Sequence, residues 1–245
     1  MVNTAALNIA DEFDQLYFRL RQKERRIYTD EAVANLPFIS ANHLHHREWS
    51  IRKNSQKALV SYVKQKNTFA SILEVGCGNG WLSASVAKSI GSKVTGLDIN
   101  SYELEQAKRV FKDITNLNFI NGSLQNDDLK DEKFDMILFA ASIQYFPSFK
   151  QIIETAIEHL TLQGEVHIID SPFYQTEEAA AARQRTAEYY KAIGFAAMAD
   201  HYYHHNLSEL ENFHYKILHH PDSWKNKLSI TKNPFYWITI KNRYQ

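Results

Sequence analysis

This sequence predicts an α/β fold: a mostly parallel sheet with an N-terminal helical cap and an antiparallel C-terminal hairpin. Three observations carry the expectation. Short apolar runs alternate with longer helical patterns between about residues 71 and 194, the order that builds βαβ units on a parallel sheet. The first 70 residues show helical periodicity and no strand signal. Beyond residue 194, two further strand-like runs are joined by a polar loop without room for a long crossover helix, so they are expected to pair antiparallel at one edge.

In chain order, the cap is expected from two amphipathic helices. One turns Phe13, Leu16, Tyr17 and Leu20 inward; the other turns Ile51, Ala58, Leu59, Tyr62 and Val63 inward. The first strand, Ile72 to Val75, runs into a glycine loop, and a helix from about Trp81 to Ile90 follows with Gly91 as its C-terminal cap. Lys93 to Ile99 makes the second strand. Asn100, with Glu103 three residues on, forms a capping box for a helix whose inward stripe is Leu104, Ala107, Val110 and Phe111. Leu117 to Ile120 is the third strand. Phe134 to Ala140 is continuously apolar, as in a central strand buried on both faces. Ser148 and Gln151 cap the next helix, with Phe149, Ile152, Ile153, Ala156, Ile157 and Leu160 as its stripe and Gly164 as its stop. Glu165 to Asp170 is a fifth strand, and Thr176 to Ile193 an alanine-rich helix stopped by Gly194. Phe213 to Leu218 and Pro234 to Ile240 form the hairpin. No repeat or proline-rich linker divides the chain, so it reads as one unit, with a cap over residues 1–68 and a core over 69–245.

A chain of 245 residues with 44% hydrophobic content has enough apolar mass for a sizeable core. Twenty-eight basic residues balance 28 acidic ones, so no net field draws it to nucleic acid or a membrane surface. Cys77 is alone and has no intramolecular disulfide partner. No apolar run approaches the roughly 20 residues that cross a bilayer, and M-V-N-T-A-A-L-N lacks the pattern of a secretory leader. A soluble cytoplasmic monomer or homodimer is expected.

The chemistry centres on S-I-L-E-V-G-C-G-N-G, Ser71 to Gly80. Gly76, Gly78 and Gly80 let the chain turn sharply out of the strand and let a ligand press on bare backbone. Dinucleotide sites use G-x-G-x-x-G to seat a pyrophosphate on a helix N-terminus. Here the spacing is G-x-G-x-G, and Glu74 stands two residues ahead. An acid so placed suits a ligand carrying an ammonium and a sulfonium rather than a pyrophosphate. Asp98, in G-L-D-I-N 24 residues after Glu74, ends the second strand where a carboxylate can accept from both hydroxyls of a ribose.

As a set, these motifs resemble the class I S-adenosylmethionine-dependent methyltransferases over about residues 71–171. The resemblance implies a Rossmann-like, seven-stranded, mostly parallel sheet whose last hairpin is antiparallel. It also implies S-adenosyl-L-methionine as cofactor, with Glu74, Gly76, Cys77, Gly78, Gly80, Asp98 and Ile99 around it. In N-G-S-L-Q, Ser123 stands where the family often has an acid on the adenine amino group; its hydroxyl or the backbone at Leu124 is then the contact. A-A-S-I-Q-Y-F-P resembles the loop over the methionine portion that borders the acceptor, which implies Ala140, Ser142 and Gln144.

On the acceptor side the candidates are Tyr145, Asp170, Tyr174, His201, His204 and His205, with His43, His45, His46 and Trp49 from the cap; none is singled out as a catalytic base. Arg52 and Tyr17 are candidates for the cofactor carboxylate, a guanidinium making a bidentate pair. The close histidine spacings of H-L-H-H and H-Y-Y-H-H match no paired-ligand zinc pattern, so no metal is expected. The expected function is methyl transfer to an oxygen, nitrogen or activated carbon of a small molecule. A nucleotide-dependent NAD(P)-type oxidoreductase and a non-catalytic cofactor-binding module are the alternatives.

Overall fold

The computed structural model describes residues 4–125 and 127–241. The elements are α1 (Thr4–Lys23), α2 (Asp30–Asn35), α3 (His46–Lys66), β1 (Ser71–Val75), α4 (Trp81–Ser89), β2 (Lys93–Asp98), α5 (Ser101–Val110), β3 (Leu117–Asn121), β4 (Phe134–Ala140), α6 (Phe149–Glu158), β5 (Leu160–Ile169), α7 (Thr176–Ala192), β6 (His214–His219), α8 (Trp224–Lys227) and β7 (Trp237–Lys241). Seven strands form one sheet in the order β3-β2-β1-β4-β5-β7-β6. The first five are parallel, β7 runs antiparallel to β5, and β6 antiparallel to β7. The strand order reverses between β1 and β4, so the crevice outside their carboxyl ends is the place where an open α/β sheet takes a ligand.

Alternation along the strands feeds two apolar layers. Leu73, Val75, Ile137, Phe139, Val166 and Ile168 face α6, whose Phe149, Ile152, Ile153 and Ala156 are buried against them. Ile72, Met136, Leu138 and Ile169 face Leu59 and Val63 of α3 and Leu82 and Val86 of α4. β4 is central, with Met136 to Phe139 all buried.

Several local expectations are corrected. α6 ends at Glu158 with His159 as its C-cap, so Gly164 is no helix stop and Leu160 belongs to β5. A Cβ on Gly164 would lie 2.8 Å from the Phe134 carbonyl oxygen; its smallness admits a neighbouring strand. α4 closes on Ile90 in an extended conformation rather than on Gly91. Ala58 is exposed, since α3 turns Ile51, Ser55, Leu59 and Val63 inward. Asn100 caps α5 by accepting from the Glu103 N–H (2.8 Å), but the Asn100 N–H donates to Asp98 (2.8 Å) and Glu103 turns to Arg21 (3.6 Å). α2, six residues long, is too short to show a period; its Asp30 holds Arg109 of α5 through two bonds of 2.6 and 2.8 Å.

Between α3 and the sheet lies a closed polar group. Glu165 accepts from Lys66 (2.8 Å), Tyr62 (2.5 Å) and His167 (3.1 Å), pairs with Lys241 (3.1 Å), and His167 Nδ1 accepts from Trp237 (3.0 Å). Burial by itself raises the Glu165 carboxyl, but the bonds from His167, Lys66, Tyr62 and Lys241 outweigh it and hold the group well below the usual carboxylate range. A depressed carboxyl contributes stability above its unfolded value near 4.3 and loses it as pH falls through the folded value. Glu165→Ala, which leaves Tyr62 and His167 without their partner, is expected to cost about 3 kcal/mol at pH 7 in denaturant unfolding. The gap from wild type should narrow below about pH 4.

Candidate active site

The loops after β1, β4 and β5 make the floor. Gly76 N–H (2.8 Å) and Cys77 N–H (3.1 Å) donate to the Leu97 carbonyl, folding the loop back over β2. Gly78 N–H donates to Asp98 Oδ2 at 2.6 Å. Gly76 has φ +75°, and a Cβ there would come within 2.5 Å of Ser142 Cβ, while Ser142 Oγ donates to the Val75 carbonyl at 2.6 Å. Ala141 (φ +55°) and Asp170 (φ +53°), just past β4 and β5, are left-handed without being glycine. Such strain gathers at functional edges.

Two cavities open above this floor. One, about 470 Å³ and largely apolar, is lined by Asp98, Ile99, Ser123, Leu124, Ser142, Pro147, His201 and Tyr203. The other, about 430 Å³ and polar, is lined by Glu74, Cys77, Trp49, Arg52, Ala140, Gln144, Asp170 and Tyr174, among others. They share Tyr17, Gly76, Gly78, Ala141 and Tyr145 as a common wall.

The sequence candidates thus divide. Gly80 lines neither cavity; its Cβ would strike the Phe119 ring at 2.5 Å, so it serves the packing of α5 and β3. His43, His45, His46, His204 and His205 also line neither. His45 bonds the Glu24 carbonyl (2.9 Å), His205 the Ile143 carbonyl (3.1 Å) and His204 the Thr186 hydroxyl (2.9 Å). No group of three metal-ligating side chains is found among the described residues. Missed by sequence reading were Arg21, Arg26, Glu48, Glu103, Tyr190 and Tyr202, all on the polar cavity. Arg21 was within reach, being one helical turn after Tyr17 on the same face.

The charges are arranged unequally. Burial pushes the Glu74 carboxyl up to about 8, although Ser83 Oγ donates to it at 2.5 Å. Burial, with Glu103 nearby, raises Asp98 to about 7 against the lowering pull of the Asn100 and Gly78 N–H groups. Arg26 is held by both oxygens of Glu48 (2.8 and 2.6 Å), and Arg52 by the same carboxylate (3.0 Å). Arg21 is looser: its Nε is buried without a partner, and its nearest carboxylate is Glu103 at 3.6 Å. Bare backbone, the buried acid Glu74, the strand-end acid Asp98 and a buried guanidinium N–H without a partner lie together on these linings.

Residues 72–164 match the sequence model of a family described as a methyltransferase domain. The chain is 30% identical over 117 residues to a malonyl-[acyl-carrier protein] O-methyltransferase of Ilyobacter polytropus, covering 47% of this chain and 43% of that protein. It is 31% identical over 121 residues to a ubiquinone biosynthesis O-methyltransferase of Pasteurella multocida, covering 44% and 50%. The chain spans about half the length of the curated relatives it matches. In fold it is similar to a magnesium protoporphyrin IX methyltransferase from Synechocystis with S-adenosylhomocysteine bound (TM-score 0.61, 14% identity, 97% of this chain and 100% of that one). It is also similar to a plantazolicin methyltransferase (TM-score 0.59, 18% identity, 98% and 97%). The seven-stranded Rossmann-like sheet expected from the sequence is the fold observed.

Because Glu74 and Asp98 sit near 8 and 7 when folded and near 4 when unfolded, the fold holds protons over this interval that the unfolded chain has released. The contribution of both groups is full below about pH 4 and is lost as pH rises toward 8. Thermal unfolding of the ligand-free protein between pH 5 and 8 should show Glu74→Gln and Asp98→Asn each with a flatter pH slope than wild type.

Proposed function

We propose that this chain, whose residues 72–164 match a methyltransferase-domain family, is a class I S-adenosylmethionine-dependent methyltransferase that moves the methyl group of S-adenosyl-L-methionine to an oxygen, nitrogen or activated carbon of a small molecule. The observation that carries this reading is the joint between loop and strand: Gly78 N–H on Asp98 Oδ2 fixes one oxygen of the acid and turns the carboxylate along the apolar cavity. In this reading Asp98 accepts from the ribose hydroxyls, while Ile99, Ser123 and Leu124 border the adenine. Gly76, Cys77 and Gly78 pass beneath the ligand. Glu74 faces the ammonium, Arg21 the carboxylate, and Ala140 and Ser142 the methionine arm, with Gln144 at the border between that arm and the acceptor.

When bound, the cofactor supplies a methyl carbon already activated by its sulfonium. The chain's own work is to hold the acceptor in line, exclude water and take any proton the acceptor must lose. Tyr17 and Tyr145 separate the two cavities and are placed to do the first two. The balance of 28 basic and 28 acidic residues and a mostly polar acceptor side support a small molecule over nucleic acid or a membrane. Cap and core act as one unit in this reading, as monomer or homodimer. The relatives' named acceptors differ among themselves, a carrier-bound malonyl group and a ubiquinone precursor pathway among them, so none is carried over.

S-adenosylhomocysteine is expected to raise the unfolding temperature and NAD to leave it unchanged; stabilisation by NAD alone would sink the reading. Asp98→Ala, losing hydrogen bonds to a charged group, should weaken S-adenosylhomocysteine binding by about 10- to 100-fold in calorimetry. Wild-type affinity should rise from pH 6 to 8 as Glu74 and Asp98 ionise.

A further inference from the structure

The polar cavity carries more carboxylates than cations, and its cations are mostly engaged. Its lining holds Arg21, Arg26 and Arg52 against Glu24, Glu48, Glu74, Glu103 and Asp170. Arg26 is clamped by Glu48 at 2.8 and 2.6 Å and faces Glu24 at 3.3 Å. Arg52 is bound to Glu48 at 3.0 Å and lies over Trp49 at 5.4 Å. With Arg21 given to the cofactor carboxylate, an anionic acceptor finds a cation only by breaking an ion pair.

Asp170 is different. It is 7% exposed, its Oδ1 accepts from Ser55 at 2.5 Å, and the nearby Arg52 charge favours its ionised form without an ion pair being formed among the described residues. Its left-handed backbone (φ +53°) bends the chain out of β5 so that the residue lines the cavity. On the same lining, Gln144 donates its Nε2 to the Ala141 carbonyl (2.7 Å), which leaves Oε1 buried with no donor. Tyr145, Tyr174, Tyr190 and Tyr202 complete this side. Tyr145 and Tyr202 meet edge to face at 5.9 Å, and Tyr202 meets Tyr190 at 6.2 Å. Burial pushes the tyrosine hydroxyls up, so none is a base near neutral pH. A carboxylate outside any ion pair, an unsatisfied amide oxygen and ring faces together ask for N–H donors and positive charge.

We propose that the acceptor is a primary or secondary amine, bound as its ammonium with N–H bonds to Asp170 and Gln144 and its charge against the tyrosine rings. The inference rests on the methyl-transfer reading above. Asp170 takes one proton from the ammonium, freeing the nitrogen lone pair. That pair forms the N–C bond as the S–C bond breaks and its electrons stay on sulfur. The product nitrogen carries the positive charge that the sulfonium loses, and Asp170 releases its proton to water when the product leaves. Burial, which raises the Asp170 carboxyl, favours that transfer.

The test is calorimetric binding to protein saturated with S-adenosylhomocysteine, using benzylamine, butylamine and piperidine against benzyl alcohol, butanol, benzoate and butyrate. The amines should bind at least about 10-fold tighter than the alcohols, and the carboxylates not at all. Asp170→Asn, which keeps the left-handed backbone, should bring amines down to the alcohols while S-adenosylhomocysteine affinity stays within about twofold. Gln144→Leu should weaken amines in the same direction. Alcohols or carboxylates matching the amines, no amine binding at all, or equal losses for amines and alcohols in Asp170→Asn each overturn the proposal. Failure of S-adenosylhomocysteine itself to bind removes the methyl-transfer reading first and takes this one with it.

Discussion

The site depends on how closely the loops after β1 and β4 approach one another. A Cβ on Gly76 would sit 2.5 Å from Ser142 Cβ, and the Ser142 hydroxyl is spent on the Val75 carbonyl. The two strand ends are therefore locked with no side chain between them, and the floor of both cavities is backbone. Any larger residue at Gly76 meets both a forbidden φ and a filled space. Asp98 is set by the same lock, because the loop that Gly76 begins returns through Gly78 to bond its carboxylate.

On this floor the acids are less fully partnered than elsewhere in the protein. Glu74 is 3% exposed and has the hydroxyl and backbone of Ser83 for company; Asp98 has two backbone N–H groups and the repulsion of Glu103. Burial holds both carboxyls above the usual carboxylate range. Elsewhere the protein shows that it satisfies a buried carboxylate where stability is the aim: Glu165 receives four partners and falls below the usual range, in the same molecule and at comparable burial. Glu165 and Glu74 are thus shifted in opposite directions by the number of donors each receives.

Much of this was legible in the sequence, and the limits have physical causes. β4 was readable because both faces are buried and its apolar run is continuous; the turn of the glycine loop was readable because Gly76, Gly78 and Gly80 take left-handed φ there. Gly164 misled because a glycine after a helix and a glycine inside a strand look alike, and only the nearby Phe134 carbonyl distinguishes them. Gly80 misled similarly, since its reason is the Phe119 ring rather than a ligand. The histidine runs attracted notice by composition, yet most of these rings bond backbone carbonyls or hydroxyls, whereas Arg21, Tyr190 and Tyr202 converge from elements far apart in sequence and only the fold brings them together.

One helix governs both cavities. Tyr17 of α1 belongs to both linings, Phe13 packs on Tyr145 and His201, and Arg21 faces the glycine loop beside Glu103. Yet α1 is attached away from the two layers that flank the sheet: Leu20 packs with Tyr190 and Met198 in a cluster of its own, Asn100 bonds Asp14, and Tyr189 bonds Glu24 at 2.6 Å. Burial of one such leucine is worth about 2 kcal/mol, far less than the strands hold. A ligand in either cavity touches Tyr17, Gly76, Gly78, Ala141 and Tyr145, so whatever it does to the position of α1 is felt by the other. Thermodynamic linkage makes any such influence between the two cavities reciprocal.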